Sequence, residues 1–255
     1  SQQQYGNRVV SPVSTASLIF TVSLGAGFLG AMLGLGGGMF LVPLLTLLLG
    51  LPVHTVVATS LLAVIVTSAV ATTTYCRSDQ TNVRLAFLLE TVTALGAIVG
   101  GLIATNMSGS GLKLVFGVVA IYTAYSMLTQ RRNQESTSDT PEADDALSNY
   151  WNVTGVSRRT ADEEPEAYQV TNIPAGLGVS FVAGNISAML GIGGGALKVP
   201  IMNLVMRVPL KAATATSTLM VGITASVTAL IYYLNGYVDL TLVAPTVCGV
   251  LVGAQ

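Results

Sequence analysis

Charge is distributed very unevenly along this chain. Of its 23 Asp, Glu, Lys and Arg residues, 13 lie between Arg131 and Glu166. The other 219 of the 255 residues carry only ten, too few to build a water-facing surface. Outside the charged segment the sequence is a series of long apolar runs, which predicts an all-α, multi-pass helical membrane protein. A transmembrane β-barrel would show short alternating segments instead. The net charge of −1 argues against a nucleic-acid binder, which needs a basic face to neutralise phosphates. Cys76 and Cys248 cannot staple such a fold and read as inert thiols.

The apolar runs cover about 14–50, 55–75, 85–105, 112–128, 174–205, 212–234 and from 240 onward. The first and fifth are interrupted, by Gly34-Leu35-Gly36-Gly37-Gly38 with Pro43 and by Gly191-Ile192-Gly193-Gly194-Gly195 with Pro200. Residues 129–171 are polar and acidic, and read as a solvated linker on the cytoplasmic side with no core of its own.

Shifted by 157 residues, the first half lies on the second without a gap. Ala31-Met32-Leu33-Gly34 falls on Ala188-Met189-Leu190-Gly191, Pro43 on Pro200, Ala58-Thr59-Ser60 on Ala215-Thr216-Ser217, and Tyr75 on Tyr232. Two homologous units follow. After an N-terminal tail (1–13), 14–128 forms the first unit, 129–171 the linker and 172–255 the second. The second is expected to lack its last span or spans here, and the native protein to be longer.

As one helix, residues 14–50 would measure about 55 Å against a hydrocarbon core of about 30 Å. The run either crosses once, broken and with an interfacial tail, or turns back at the glycines as a re-entrant hairpin. Cytoplasmic loops are richer in Lys and Arg. Crossing divides these residues seven against three between the two faces, and turning back divides them eight against two. The hairpin is favoured. Each unit then has an odd number of crossings, three spans and a hairpin, so the units are inverted.

Broken helices at membrane depth are tolerated where they are buried in protein or line a cavity. A half-helix starting just after the glycines (Met39 onward, Ala196 onward) points free N–H groups and its positive dipole end at the break. That is an anion site built from backbone, expected near the midplane between the units. The competing view is that the glycines only allow tight helix packing, as at Gly30/Gly34 and Gly96/Gly100.

The doubled GLGGG/GIGGG followed by VP, with an Ala-Thr-Ser triplet opening the next span, resembles the TauE/SafE sulfite exporter family, also called the 4-toluene sulfonate uptake permease family. The matching stretches are 34–43 with 58–60 and 191–200 with 215–217, and the likeness spans nearly the whole chain except the linker. The resemblance implies a multi-pass inner cell membrane carrier of sulfur-containing or organic anions, sulfite among them.

The expected substrate-binding groups are the backbone at Gly36, Gly37, Gly38, Gly193, Gly194 and Gly195, with hydroxyl donors from Thr59, Ser60, Thr216 and Ser217. Those four hydroxyls equally fit helix N-caps. Lys198 is the only Lys or Arg away from the very end of a membrane run and sits beside the second break, so it supplies charge to an anion or snorkels to the interface. Glu90 carries a coupling proton, pairs with Lys198 or lies at the headgroups. Asn185 reaches the ligand or bonds a neighbouring helix. Asp239 reads as a helix cap and His54 as an interfacial histidine.

No enzyme reading survives. The segment from Gly191 to Ala196 fits G-x-G-x-x-A but has no preceding strand and no later acid. No P-loop, metal-ligand cluster or cofactor signature is present. The expected function is secondary transport of a small anion by alternating access, coupled to a proton or sodium ion or driven by the substrate's own gradient. An anion channel, or a membrane scaffold whose linker binds a partner, is the alternative.

Overall fold

The computed structural model describes residues 12–33, 38–77, 82–133, 154–157 and 166–253. Nine helices and two short strands lie among them: α1 (Pro12–Leu33), α2 (Gly38–Leu48), α3 (Val53–Arg77), α4 (Val83–Asn106), α5 (Gly109–Asn133), β1 (Thr154–Ser157), β2 (Glu166–Gln169), α6 (Ile173–Leu190), α7 (Gly195–Leu204), α8 (Leu210–Leu234) and α9 (Leu240–Gly253). Helices α3, α4, α6 and α8 are long and apolar enough to cross a membrane. Surface and interior are inverted relative to a soluble protein. Phe87, Leu95, Leu102, Leu114, Val118 and Ile121 are exposed, while Glu90 and Lys198 are buried. The chain is a multi-pass membrane protein.

The segment read as a solvated linker with no core of its own contains ordered elements at its described residues. Its first residues continue α5 to Asn133, and β1 and β2 pair antiparallel with Thr154 opposite Gln169. Its last residues are buried, Val170 joining Ile173, Leu85, Met206 and Val208 in an apolar cluster.

Each break turns a long apolar run into a long helix and a short one. Helix α7 has ten residues, about 15 Å, half of what a crossing needs. It returns to the face from which α6 set out. The Thr171 N–H donates to the Met206 carbonyl (3.3 Å), and Asn172 Nδ2 to the Val205 carbonyl (3.3 Å). Residues before α6 and after α7 are thus joined, and α6–α7 is a hairpin closed at its open end.

The long helices α3 and α8 pack antiparallel. Asn82, just beyond α3, gives its N–H to Thr216 Oγ1 (3.0 Å) in the second turn of α8. Tyr237, just beyond α8, stacks on His54 in the first turn of α3, with ring centroids 4.9 Å apart. Midway, Ser68 Oγ donates to the Thr218 carbonyl (2.6 Å). Helix starts keep the 157-residue offset: Gly38 and Gly195, Val53 and Leu210, Val83 and Leu240. The packing exchanges across it as well. Helix α4 lies on α6 and α9 on α1, so a helix of each half rests on the hairpin region of the other. Glycines permit this closeness. A methyl at Gly96 would strike the Phe181 carbonyl, and one at Gly253, its offset partner, the Leu24 carbonyl.

Candidate functional site

The second break is a local consequence of its glycines. Gly191 (φ 71°), Gly193 (φ 74°) and Gly194 (φ 88°) all adopt the left-handed conformation, which costs other residues about 1–2 kcal/mol each. Gly191 ends α6 by donating its N–H to the Ser187 carbonyl (3.0 Å). Gly194 caps α7, its carbonyl accepting from Lys198 N–H (2.9 Å) and Leu197 N–H (3.1 Å). The chain reverses between these points, and α7 starts with its N-terminal dipole end inside the protein.

The two breaks meet. A Cβ on Gly38, the first residue of α2, would lie 2.9 Å from the Gly191 carbonyl oxygen and 3.4 Å from Ile192 Cα. Ser60 Oγ of α3 donates to that same Gly191 carbonyl (2.9 Å). Two valines related by the 157-residue offset close the junction. Val64 stands 2.7 Å and Val221 2.8 Å from where Gly193 would carry a Cβ. Val64 also abuts Gly38, and Val221 abuts Gly195, its offset partner.

Beside the junction lies a buried charged ring. Lys198 Nζ donates to Glu90 Oε2 (3.0 Å) and to Thr224 Oγ1 (2.6 Å), and Thr224 Oγ1 donates to Glu90 Oε1 (2.6 Å). The Lys198 and Glu90 side chains are 1% and 4% exposed. The ring ties α7 to α4 and α8. Removing one partner of such a pair costs about 3–5 kcal/mol, because the other charge is left buried alone.

The candidate residues fall as follows. Gly38, Gly193, Gly194, Gly195 and Ser60 are together at the junction, with Ser217 Oγ 3.7 Å from the Gly195 Cβ position. Gly36 and Gly37 lie outside the described residues. Lys198 is buried and turned to Glu90 rather than extended to the surface, and the two side chains hold each other. None of the four hydroxyls caps a helix. Pro209 precedes α8, Thr216 instead accepts from Asn82, and Thr59 Oγ1 donates to the Thr55 carbonyl (2.8 Å) within α3. Asp239 does cap α9, its Oδ1 accepting from the Thr241 N–H (3.0 Å). The main chain of Asn185 rests against Gly96 and Gly100 of α4. His54 Nε2 lies 3.1 Å from both the Ala104 and the Met107 carbonyls.

Sequence reasoning missed Val64, Val221, Thr224 and Ser187. The valines and Thr224 carry no signal in a run of similar residues. Ser187 stands out only in three dimensions: its hydroxyl is buried without a hydrogen-bond partner beside Gly194.

Comparison with known proteins places the chain in a family. A family profile described as Sulfite exporter TauE/SafE matches residues 19–255. A probable membrane transporter protein of Bacillus subtilis, YunE, is 24% identical over 233 residues, covering 88% of this chain and 81% of its own. One from Xylella fastidiosa is 28% identical over 240 residues (93% and 82%). Another from Methanocaldococcus jannaschii, MJ0441, is 26% identical over 224 residues (86% and 72%). No solved structure matches the chain.

Proposed function

The chain belongs to the TauE/SafE sulfite exporter family, and on that premise we propose that it is a secondary carrier of a small anion, sulfite or another sulfur-containing or organic anion. The observation that carries this reading is the contact between Gly38 and Gly191–Ile192. It sets the N-terminus of α2 against the turn that leads into the N-terminus of α7, and backbone N–H groups at half-helix N-termini attract negative charge. Lys198 is the cation at that place. Ser60 and Ser217 stand at the junction, and Thr59 and Thr216 directly precede them in the second turns of α3 and α8. Val64 and Val221 occupy the junction itself, so the conformation described is a closed one.

Alternating access fits the antiparallel arrangement of α3 and α8. A twofold relation lying in the membrane plane gives inward- and outward-facing states from one chain. The two homologous units of this reading are 14–128 and 172–255. With α6–α7 returning to its own face, Arg77, Arg84, Arg131, Arg132, Arg207 and Lys211 share one face, that of the linker, and Lys113 lies on the opposite one. The positive-inside rule then makes the linker face cytoplasmic.

The test is counterflow in proteoliposomes preloaded with sulfite, followed with radiolabelled sulfite and competed with thiosulfate, sulfonates and carboxylates. Saturable exchange is expected, and Gly194→Leu should abolish it while the protein is still made and inserted. A leucine there is forced to φ 88° and crowds Ser187 Oγ (3.0 Å) and Lys198 Cε (3.2 Å). Unsaturable, ohmic anion current would replace the carrier with a channel. Normal exchange by Gly194→Leu would overturn the backbone anion site.

A further inference from the structure

The second break has polar groups that the first lacks. At the 157-residue offset Lys198 falls on Leu41, Glu90 on Val247 and Ser187 on Gly30. Leu41 is fully buried, so the first break carries apolar bulk where the second carries a cation.

Ser187 is 1% exposed, and its Oγ has no hydrogen-bond partner. Native interiors rarely leave a buried hydroxyl unpaired. This one lies in the last turn of α6, 3.0 Å from the Cβ position of Gly194, and Lys198 Cε lies 3.2 Å from that same point. An idle donor, a helix N-terminus and an ammonium stem therefore converge on one spot. The ammonium itself is turned away, to Glu90.

Lys198 and Glu90 together are neutral. An anion added beside them would leave one negative charge uncompensated in a water-poor interior, which is strongly unfavourable. Among the described residues, the groups around Glu90 offer no second cation. Helix α6 has no ionisable residue and α7 has only Lys198; α8 has Lys211 in its first turn and Tyr232 and Tyr233 at its far end; α4 itself has Arg84, six residues earlier. The charge that can be removed is the one on Glu90 itself.

We propose that Lys198 is passed between two anions: Glu90 holds it in the empty carrier, and a monovalent anion seated on Ser187 Oγ and the Gly195 and Ala196 amides, ahead of the two that bond the Gly194 carbonyl, takes it over as Glu90 accepts a proton. Anion and proton then cross together, and the buried site is neutral before and after. Thr224 keeps its place in the exchange, because its hydroxyl can accept from a protonated Glu90 as readily as it donates to the carboxylate. The first break, with Leu41 and Val247, needs no such exchange. One proton site per chain is the result.

This inference rests on the carrier reading, and its test separates the two. The full chain in proteoliposomes is given sulfite or methanesulfonate, the latter of fixed charge over the working pH range. Internal pH is read with a trapped dye against protein-free vesicles. Anion entry should carry protons inward, and an acid-outside gradient should accumulate labelled anion. Glu90→Gln should lose that accumulation. Its anion binding should tighten about tenfold, because Lys198 is no longer held in most molecules, and should become insensitive to pH. Ser187→Ala, which strands no partner, should bind anion several-fold more weakly at an unchanged proton-to-anion ratio. Anion entry without protons, or pH-driven accumulation by Glu90→Gln, overturns the inference and leaves the carrier standing. Unchanged binding by Ser187→Ala overturns the seat assigned to the anion. Absence of any saturable anion movement by the wild type overturns both readings. Should Glu90→Gln not fold, the wild-type proton record decides alone.

Discussion

Val64 and Val221 reach the glycine junction from opposite sides, one from α3 and one from α8, and each fills the hollow beside the first residue of a half-helix. Replacing both by alanine removes two buried methyl groups from each. The cost should be roughly 1–3 kcal/mol in all, by analogy with other core truncations. The expected outcome is an anion leak: ohmic current in planar bilayers under a sulfite gradient, where the wild type passes none. A double variant as tight as the wild type would show that the seal lies elsewhere. These valines were invisible in the sequence because nothing distinguishes a sealing valine from its neighbours in an apolar run. Lys198 and Glu90 were legible for the opposite reason, since an ionisable residue in such a run is expensive and so conspicuous. Their pairing was one of the readings that spacing allowed, but the distances alone show which reading holds. The bond from Ser60 to Gly191 joins residues 131 apart in sequence, and no local pattern encodes it.

Helix α4 against α6, and α9 against α1, are contacts of backbone on backbone. Gly96 and Gly100 leave no room for a Cβ beside the Phe181 and Asn185 carbonyls. Gly96→Ala should therefore destabilise by about 1–3 kcal/mol, as overpacking does. Gly117→Ala, on an open part of α5 with nothing within 4 Å, should stabilise by about 0.5–1 kcal/mol from helix propensity. Thermal unfolding of the detergent-purified variants checks both signs; equal shifts would mean that the α4–α6 contact is looser than described. At this scale the sequence was most readable. Apolar runs predicted every long helix to within a few residues, because bilayer thickness fixes how long such a run must be. The half-helices announced themselves through glycine and proline. The pair β1–β2 did not, since four-residue strands in polar chain have no periodicity to detect.

For the molecule as a whole, the antiparallel pairing of α3 with α8 and the return of α7 fix which loops share a face. In a background with Cys76 and Cys248 replaced by alanine, a cysteine at Ser108, between α4 and α5, should react with an impermeant maleimide from outside the cell. One placed within residues 134–150 should react only from the cytoplasmic side. Labelling of both from the same side would refute the arrangement. The scarcity of charge outside 131–166 and the run lengths carried the class of protein, and the loop arginines carried the choice of hairpin over crossing. How the halves engage was not legible, because the 157-residue offset says that two units are alike and nothing about which helix touches which. That engagement governs motion. Since α4 grips the hairpin of the second half and α9 packs on α1 of the first, the halves cannot rock apart like two jaws without tearing glycine-tight backbone contacts. Any slippage that exposes the junction to one side or the other must run between these two clasped blocks and the central α3–α8 pair, so the hinge lines do not follow the division of the chain into a first and a second half.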